Sequence, residues 1–421
     1  MFIPIVGKRF DGHEFVTEAL KGGAAGALVS KRSTGLPAGK VVIKVADTLK
    51  ALQDIARYHR QKFKIPFIGI TGSSGKTTTK DMLASILSVE GKTLKSEENY
   101  NNEIGVPLTL LKLDKTHKFA VIEIAMQAKG EIDELARIVL PKVAVITNVG
   151  EAHIQYLKSK KNIARVKAEV LKYLKGGGFA ILNFDDDHFQ FLKTKTKGAK
   201  IISYGLNKKA LVHASDISKK DHRASFMLNY KDISIKIDLP LPGTHNIYNA
   251  LAAAAAALGL GIRPTSIQKG LAKFKLSSKR MDIRTYQGIR VINDSYNANP
   301  SSMKAALSVL SEQGPVVGAK PPRRIAVLGD MLELGHISKK AHLDIGKFAA
   351  GKHIDILVTK GYLSKDIASG AREAGLKKVY SSRSNEQACR ILKKIVRPND
   401  VLLIKGSRGM KMEEIADRLT K

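Results

Sequence analysis

The chain has 421 residues, 43% hydrophobic and 26% charged, with a formal net charge of +33; this is the profile of a soluble globular protein and excludes a largely disordered chain. At about 150 residues per domain the length suits roughly three domains. The single cysteine, Cys389, permits no internal disulfide, the apolar run from Ala250 to Leu260 is too short for the ~20 residues of a membrane span, and the segment Met1 to Arg9 lacks the pattern of a secretory signal, so a cytoplasmic protein is expected.

From Met1 to Gln61 the pattern is mixed α/β: an apolar start Phe2 to Val6, a helical stretch His13 to Leu20, apolar segments Gly26 to Ser30 and Val41 to Val45, and a helix around Leu49 to Tyr58. A piece of this size is near the lower limit for independent folding and is expected to lean on its neighbour. A second unit, residues 62–276, alternates apolar runs (Phe67 to Thr71, Phe119 to Ala125, Val143 to Asn148, Phe179 to Asn183) with helical periods, which predicts a parallel sheet covered by helices. Within it, residues 209–239 read as three short antiparallel segments, and a helix from Asn246 runs through an alanine stretch that suits close packing. A third unit, 277–421, repeats the alternation with strands at Arg290 to Asn293, Arg324 to Gly329, Ile354 to Thr359 and Val401 to Lys405, a second doubly wound arrangement.

The positive charge admits nucleic acid, an anionic membrane surface or anionic small substrates as its reason. Clusters such as Lys158 to Lys161, Lys193 to Lys200 and Lys339-Lys340 are scattered, with few aromatics between them. That distribution favours a solvated lysine-rich surface, and no nucleic-acid partner is expected.

The strongest local signal is Gly69-Ile-Thr-Gly-Ser-Ser-Gly-Lys-Thr77, which leaves one apolar strand and enters a helical pattern from Thr78 to Val89. Backbone N–H groups of Gly72, Ser73, Ser74 and Gly75, with the helix N-terminus at Lys76, Thr77 and Thr78, can cradle phosphates; Lys76 neutralises the outer ones and the Thr77 hydroxyl can ligate Mg²⁺. Ile70 stands where the general phosphate-loop pattern has its first glycine, so this is a variant of that loop. A nucleoside triphosphate is the expected ligand.

Other positions carry more than one reading each. Glu123, inside an apolar run, is either a Mg²⁺ ligand beside the loop or an edge carboxylate. His153, in a polar glycine-containing loop, is a metal ligand, a phosphate donor or only a loop residue. Lys167 falls within the apolar stripe of a helix predicted from Asn162 to Leu174, whose opposite face carries Arg165, Glu169 and Lys172; it either snorkels or has a chemical task. The segment Asn293 to Ser302 is either a binding loop or a turn ending in a Ser301 or Ser302 cap for a helix from Met303.

Taken with Asn101 to Leu111, Gly130 to Ile132, Asn148 to His153, Lys167-Ala-Glu169, His245 to Asn249, Arg280, Leu328 to Gly335 and Lys405 to Ser407, these motifs resemble the Mur ligases, over about Phe2 to Glu414, and within that family the members that add D-alanyl-D-alanine to a UDP-N-acetylmuramoyl-tripeptide. The resemblance implies an α/β fold of three domains: a small N-terminal domain that binds the uridine nucleotide, a central phosphate-loop domain and a C-terminal Rossmann-like domain. It implies an ATP-dependent peptide ligase of peptidoglycan synthesis that proceeds through an acyl phosphate and acts as a monomer. It assigns ATP contacts to the loop, Asn246, Asn249, Arg280 and Asp294, and substrate contacts to Asp11, His13, Asn101, Asn102, Asn297 and Asn299. Mg²⁺ falls to Thr77, Glu123, His153 and Lys167, the last carrying a CO2-derived carbamate, and Lys76, Glu123, His153 and Lys167 are the catalytic set. Set beside the family, the chain opens about one strand short, with Lys279 where a glycine usually precedes the arginine and Ala125 where a glycine usually follows the acid. A Mur-like ligase with another acceptor and a basic nucleic-acid-linked ATPase are the competing functions.

Overall fold

The computed structural model describes residues 1–421 apart from 8–9, 32–34, 175, 221–222, 276–279, 317, 319 and 421; Lys279 and the expected 276/277 boundary lie outside the described residues. The strands in chain order are β1 (Gly26–Val29), β2 (Val41–Lys44), β3 (Phe67–Thr71), β4 (Thr93–Lys95), β5 (Phe119–Glu123), β6 (Val143–Ile146), β7 (Phe179–Asn183), β8 (Lys200–Gly205), β9 (Val212–Lys220), β10 (Arg223–Tyr230), β11 (Ile233–Leu239), β12 (Asp282–Tyr286), β13 (Ile289–Asn293), β14 (Arg324–Gly329), β15 (Ile356–Lys360), β16 (Val379–Ser382) and β17 (Val401–Lys405). They form three sheets.

The first sheet is the parallel pair β1–β2, extended by a bridge from Phe2 to Ala27. The helix that follows it, Thr48–Gln61, is anchored on the next unit. Arg60 donates to Val139 O at 2.7 Å and Leu140 O at 3.0 Å, its guanidinium lies 3.9 Å from the Phe67 ring centre, and Ala56 joins the central core. The small N-terminal piece therefore leans on its neighbour, as its size requires.

The central sheet has the order β11-β10-β9-β8-β7-β6-β3-β5-β4, parallel from β9 to β4 and antiparallel over β9–β10–β11. Strands buried on both faces read as unbroken apolar runs, which is why β3, β5, β6 and β7 were legible. β4 and β8 were not predicted: one is only three residues long, and the other begins with an exposed lysine in a lysine-rich stretch. The helix Thr244–Gly259 packs against Lys76–Leu87, and Ala250 to Ala257 are all buried. Alanine there lets the two axes approach closely. Ala254→Leu is expected to cost about 1–3 kcal/mol by overpacking, measured as a urea midpoint.

The C-terminal sheet has the order β12-β13-β17-β14-β15-β16, parallel except for the β12–β13 hairpin. β12 and β16 escaped prediction because they are half-exposed edge strands with weak apolar content.

Two local expectations are corrected. The helix predicted from Asn162 to Leu174 is α-helical over Lys160–Lys167 and 3-10 over Ala168–Tyr173. The tighter winding turns Glu169 inward, so it is 8% exposed and accepts from Asp133 N at 3.2 Å instead of lying on the polar face. The cap of the helix Pro300–Ser311 is Asn299, not a serine: Asn299 Oδ1 accepts from Ser302 N at 2.9 Å, and Ser302 Oγ accepts from Asn299 N at 3.0 Å. Proline at the first helical position starts the helix earlier than the apolar pattern suggests.

Candidate functional site

A cavity of about 520 Å³ lies between the carboxyl ends of the central parallel strands and the β13–β17 end of the C-terminal sheet. Its floor is the phosphate loop. Gly72 has φ 151 and a side chain there would meet Thr147 Oγ1; Gly75 has φ 77 and a side chain there would meet Asn249 Oδ1. Glycine is required at both positions for the backbone to turn and pack this closely. Asn148 staples the loop: its Oδ1 accepts from Ser74 N at 3.0 Å and its Nδ2 donates to Ser74 O at 3.1 Å, while Ser73 Oγ accepts from Gly150 N at 2.8 Å.

Lys76 and Thr77 open the helix Lys76–Leu87. Lys76 Nζ folds back to donate to Gly72 O at 3.0 Å, and burial pushes its pKa below the ordinary lysine value, a fall opposed by Glu123 and reinforced by Arg280. Thr77 Oγ1 donates to Glu123 Oε2 at 2.7 Å, and Asn101 Nδ2 donates to Glu123 Oε1 at 2.8 Å. Glu123 is only 2% exposed, so the edge-carboxylate reading is wrong. A chain of polar contacts invisible in the sequence holds it: Glu123 N donates to Ser96 Oγ at 3.0 Å, and buried Lys80 donates to Ser96 O at 2.7 Å.

A hydroxyl and one carboxylate beside a phosphate cradle suit Mg²⁺, which takes one or two carboxylates plus phosphate oxygens and water rather than a full protein cage. Among the described residues no group of three or more His, Cys, Asp or Glu side chains converges. Lys167 is 1% exposed, and among the described residues its Nζ has no hydrogen-bond or ion-pair partner. Burial first, and then the nearby Lys76 charge, pushes its pKa well below the lysine range, with Asp186 acting in the opposite sense. At 1% exposure the side chain does not lie out along the surface as a snorkelling lysine does.

Asp186 is a site residue that the sequence did not flag. Its Oδ2 accepts from Val149 N at 2.7 Å and its Oδ1 from His188 N at 2.8 Å, fixing the turn that leads to His153. Asp186→Ala leaves the Val149 N–H without its carboxylate and is expected to cost about 1–3 kcal/mol in a urea titration. Tyr204, on the unpredicted β8, lines the cavity and donates to Thr147 O at 2.7 Å.

Asn246 and Asn249 are 3% and 6% exposed and linked at 3.2 Å, with Asn249 Oδ1 also accepting from Thr79 Oγ1 at 3.4 Å. From the other side come Arg280, stacked 3.7 Å from the Tyr296 ring centre, and Asp294, whose Oδ1 accepts from Met281 N and whose Oδ2 accepts from Lys405 Nζ at 2.5 Å. His245 lies near Asp294 and Lys405, and burial brings its pKa down to about 4. It is neutral when folded while the unfolded chain protonates near 6.5, so its contribution to stability is complete above about 6.5 and is lost as the pH falls toward 4. His245→Phe is expected to flatten that limb of a urea midpoint against pH profile.

His153 lines the cavity with its Nδ1 2.7 Å from Glu333 Oε2, and this contact holds the Glu333 carboxyl below the usual carboxylate range. Asn101, Asn297 and Asn299 also line the cavity. Asn102 does not: it accepts from Gly105 N at 2.9 Å. Asp11 and His13 lie in the N-terminal piece, where Asp11 Oδ1 accepts from His13 N at 3.0 Å and His13 Nε2 from Ser30 N at 3.0 Å.

Two family models match, the Mur ligase middle domain over residues 70–257 and the Mur ligase glutamate ligase domain over 279–408. The UDP-N-acetylmuramoyl-tripeptide--D-alanyl-D-alanine ligase of Bacillus subtilis is 39% identical, covering 100% of this chain and 90% of that protein. A crystal structure of MurF from Acinetobacter baumannii superposes with a TM-score of 0.91 at 35% identity, covering 99% of this chain and 89% of that one. MurF from Thermotoga maritima in complex with ADP gives 0.86 at 27% identity, covering 99% and 93%. With a phosphate loop, a threonine–glutamate pair and a second α/β sheet facing them across one cleft, the chain belongs to the Mur ligase family, in its MurF branch.

Proposed function

We propose that the protein joins D-alanyl-D-alanine to a UDP-N-acetylmuramoyl-tripeptide with hydrolysis of ATP to ADP and phosphate, in the cytoplasmic assembly of peptidoglycan precursors and so in cell shape and division. The observation that carries the reading is the convergence of Lys76 and the Thr77–Glu123 pair on one side of a cleft whose other side presents Arg280 and Asp294, with buried Lys167 near enough to Lys76 to feel its charge. The reading takes the protein to act as a monomer.

The tripeptide carboxylate attacks the γ-phosphorus of ATP; the new O–P bond forms as the bond to ADP breaks. The amine of D-alanyl-D-alanine then attacks the acyl carbon, the C–N bond forms, phosphate leaves, and the amine loses a proton. The first step brings two anions together and the second builds negative charge on the oxyanion and the leaving phosphate, so fixed cations matter most. Lys76 swings from Gly72 O onto the outer phosphates, and the cradle amides bind their oxygens. Thr77 and Glu123 would hold one Mg²⁺, and His153 with a carbamate on Lys167 a second; the ions would supply charge screening of the phosphates. Lys167, whose pKa burial lowers, would take up CO2 as its free amine with loss of one proton to solvent, which would turn a misplaced cation into an oxygen ligand. Asn246 and Asn249 hold the nucleotide from the central sheet, and Arg280 and Asp294 from the C-terminal one. Asn101, Asn102, Asn297 and Asn299 serve the peptide substrates, and Asp11 and His13 the uridine nucleotide. Residues 1–61, 62–276 and 277–421 act as three domains.

The test is phosphate release from ATP and Mg²⁺ with UDP-N-acetylmuramoyl-tripeptide, with and without D-alanyl-D-alanine. Release that requires both substrates is expected. An ATP-binding protein that releases phosphate only with a different acceptor would move the assignment to another wall precursor.

A further inference from the structure

The segment Asp330 to Gly335 was singled out by its sequence, yet none of its side chains enters the proposed chemistry. It is held rigidly on the C-terminal sheet. Asp330 accepts from Ser364 N at 2.7 Å and Tyr362 N at 3.1 Å, Met331 N donates to buried His342 Nε2 at 3.0 Å, and Leu332 N donates to Ser407 Oγ at 2.9 Å. What this clamp presents to the central domain is Glu333.

Across the cleft Glu333 meets His153, and both residues have left-handed backbones, with φ 63 and φ 62. Two non-glycine residues in that region facing each other are strained and persist only where the structure around them is well determined. Both lie in the interdomain contact. Gln155 N donates to Glu333 O at 3.2 Å, and a side chain on Gly335 would come within 3.1 Å of Gln155 Cα. The carboxylate Oε2 stands 2.7 Å from His153 Nδ1.

We infer that Glu333 is a positioning residue for His153: the C-terminal domain places a carboxylate 2.7 Å from Nδ1, a close approach whose angle is not yet that of a hydrogen bond, and a small ring rotation would let it accept from Nδ1–H, fix the ring and leave Nε2 to ligate the second divalent cation. This rests on the proposed role of His153 as a ligand. Metal-ligating histidines commonly donate their other ring N–H to a carboxylate, and loss of that partner weakens metal binding about 10–100-fold. Here the carboxylate belongs to the opposite domain. Tight binding of the second cation and closure of the cleft are therefore linked, and each favours the other to the same extent. The second ion is then held firmly only when the reacting groups are shielded from water.

The experiment is Mn²⁺ binding followed by electron paramagnetic resonance on the full chain with a non-hydrolysable ATP analogue, for wild type, Glu333→Ala, Glu333→Gln and His153→Ala, with thermal melts of each. In Glu333→Ala the second Mn²⁺ is expected to weaken about 10–100-fold, with the first ion and the nucleotide unchanged. Glu333→Gln, whose amide oxygen can still accept from Nδ1, is expected to recover most of the loss, which a change in domain packing alone would not produce. Equal binding of both ions in wild type and Glu333→Ala, with one ion lost in His153→Ala, would overturn the role of Glu333 and leave that of His153 standing. Retention of both ions in His153→Ala would remove the histidine as a ligand and the inference with it.

Discussion

Lys167→Met should abolish ligation, lowering phosphate release by about 10³-fold or more, while the melting temperature holds or rises. The two halves of that result have different causes. The Nζ is buried beside Lys76 and has no acceptor among the described residues; as an ammonium it is a desolvated charge that opposes folding. Its pKa is lowered in the folded chain, so the unfolded chain binds more protons. The resulting penalty grows as pH falls below the ordinary lysine value of 10.5 and is present at pH 7. Removing the amine therefore relieves the fold. Loss of activity follows if the amine, neutral over more of the pH range than an exposed lysine, is the one that carries CO2 as a ligand. Wild-type activity should then fall in CO2-free buffer and return with bicarbonate, and Lys167→Glu should recover part of it. A Lys167→Met protein with wild-type turnover would show that the buried lysine has no chemical task.

Lys76→Met should lower turnover by about 10²–10³-fold, the usual consequence of removing one fixed charge from a developing anion, and weaken ATP in a calorimetric titration. Here the fold gives less warning, because the folded-back contact to Gly72 O at 3.0 Å is a single part-buried hydrogen bond. Glu123→Ala should be worse for the cation than for the nucleotide. Its two oxygens take the Thr77 hydroxyl and the Asn101 amide, so ATP binding in the absence of Mg²⁺ should change little while Mg²⁺-dependent binding disappears.

Much of this was legible in the residues because it depends on local chemistry. A glycine-rich turn with Gly-Lys-Thr between an apolar strand and a helix is suited to cradle an anion, and doubly buried strands announce themselves as apolar runs: β3, β7, β14 and β17 have the bounds that their runs predict. The lysine at position 167 betrayed itself by its place in an apolar stripe. The family likeness then connected motifs whose own chemistry left more than one reading open, as at His153 and Glu123.

What the sequence left undecided is what depends on contact between distant segments. The short and edge strands β4, β8, β12 and β16 gain their conformation from neighbours, not from periodicity. Glu169 faces inward only because the helix tightens to meet the backbone near Asp133. Lys80, Ser96 and Asp186 hold site residues through hydrogen bonds that link positions far apart in the chain. The meeting of His153 with Glu333 belongs wholly to tertiary structure. Local sequence sets which groups a turn or helix can offer; only the packing of one sheet against another determines which offered groups come within hydrogen-bond reach, because that distance is fixed by the whole core rather than by any one segment.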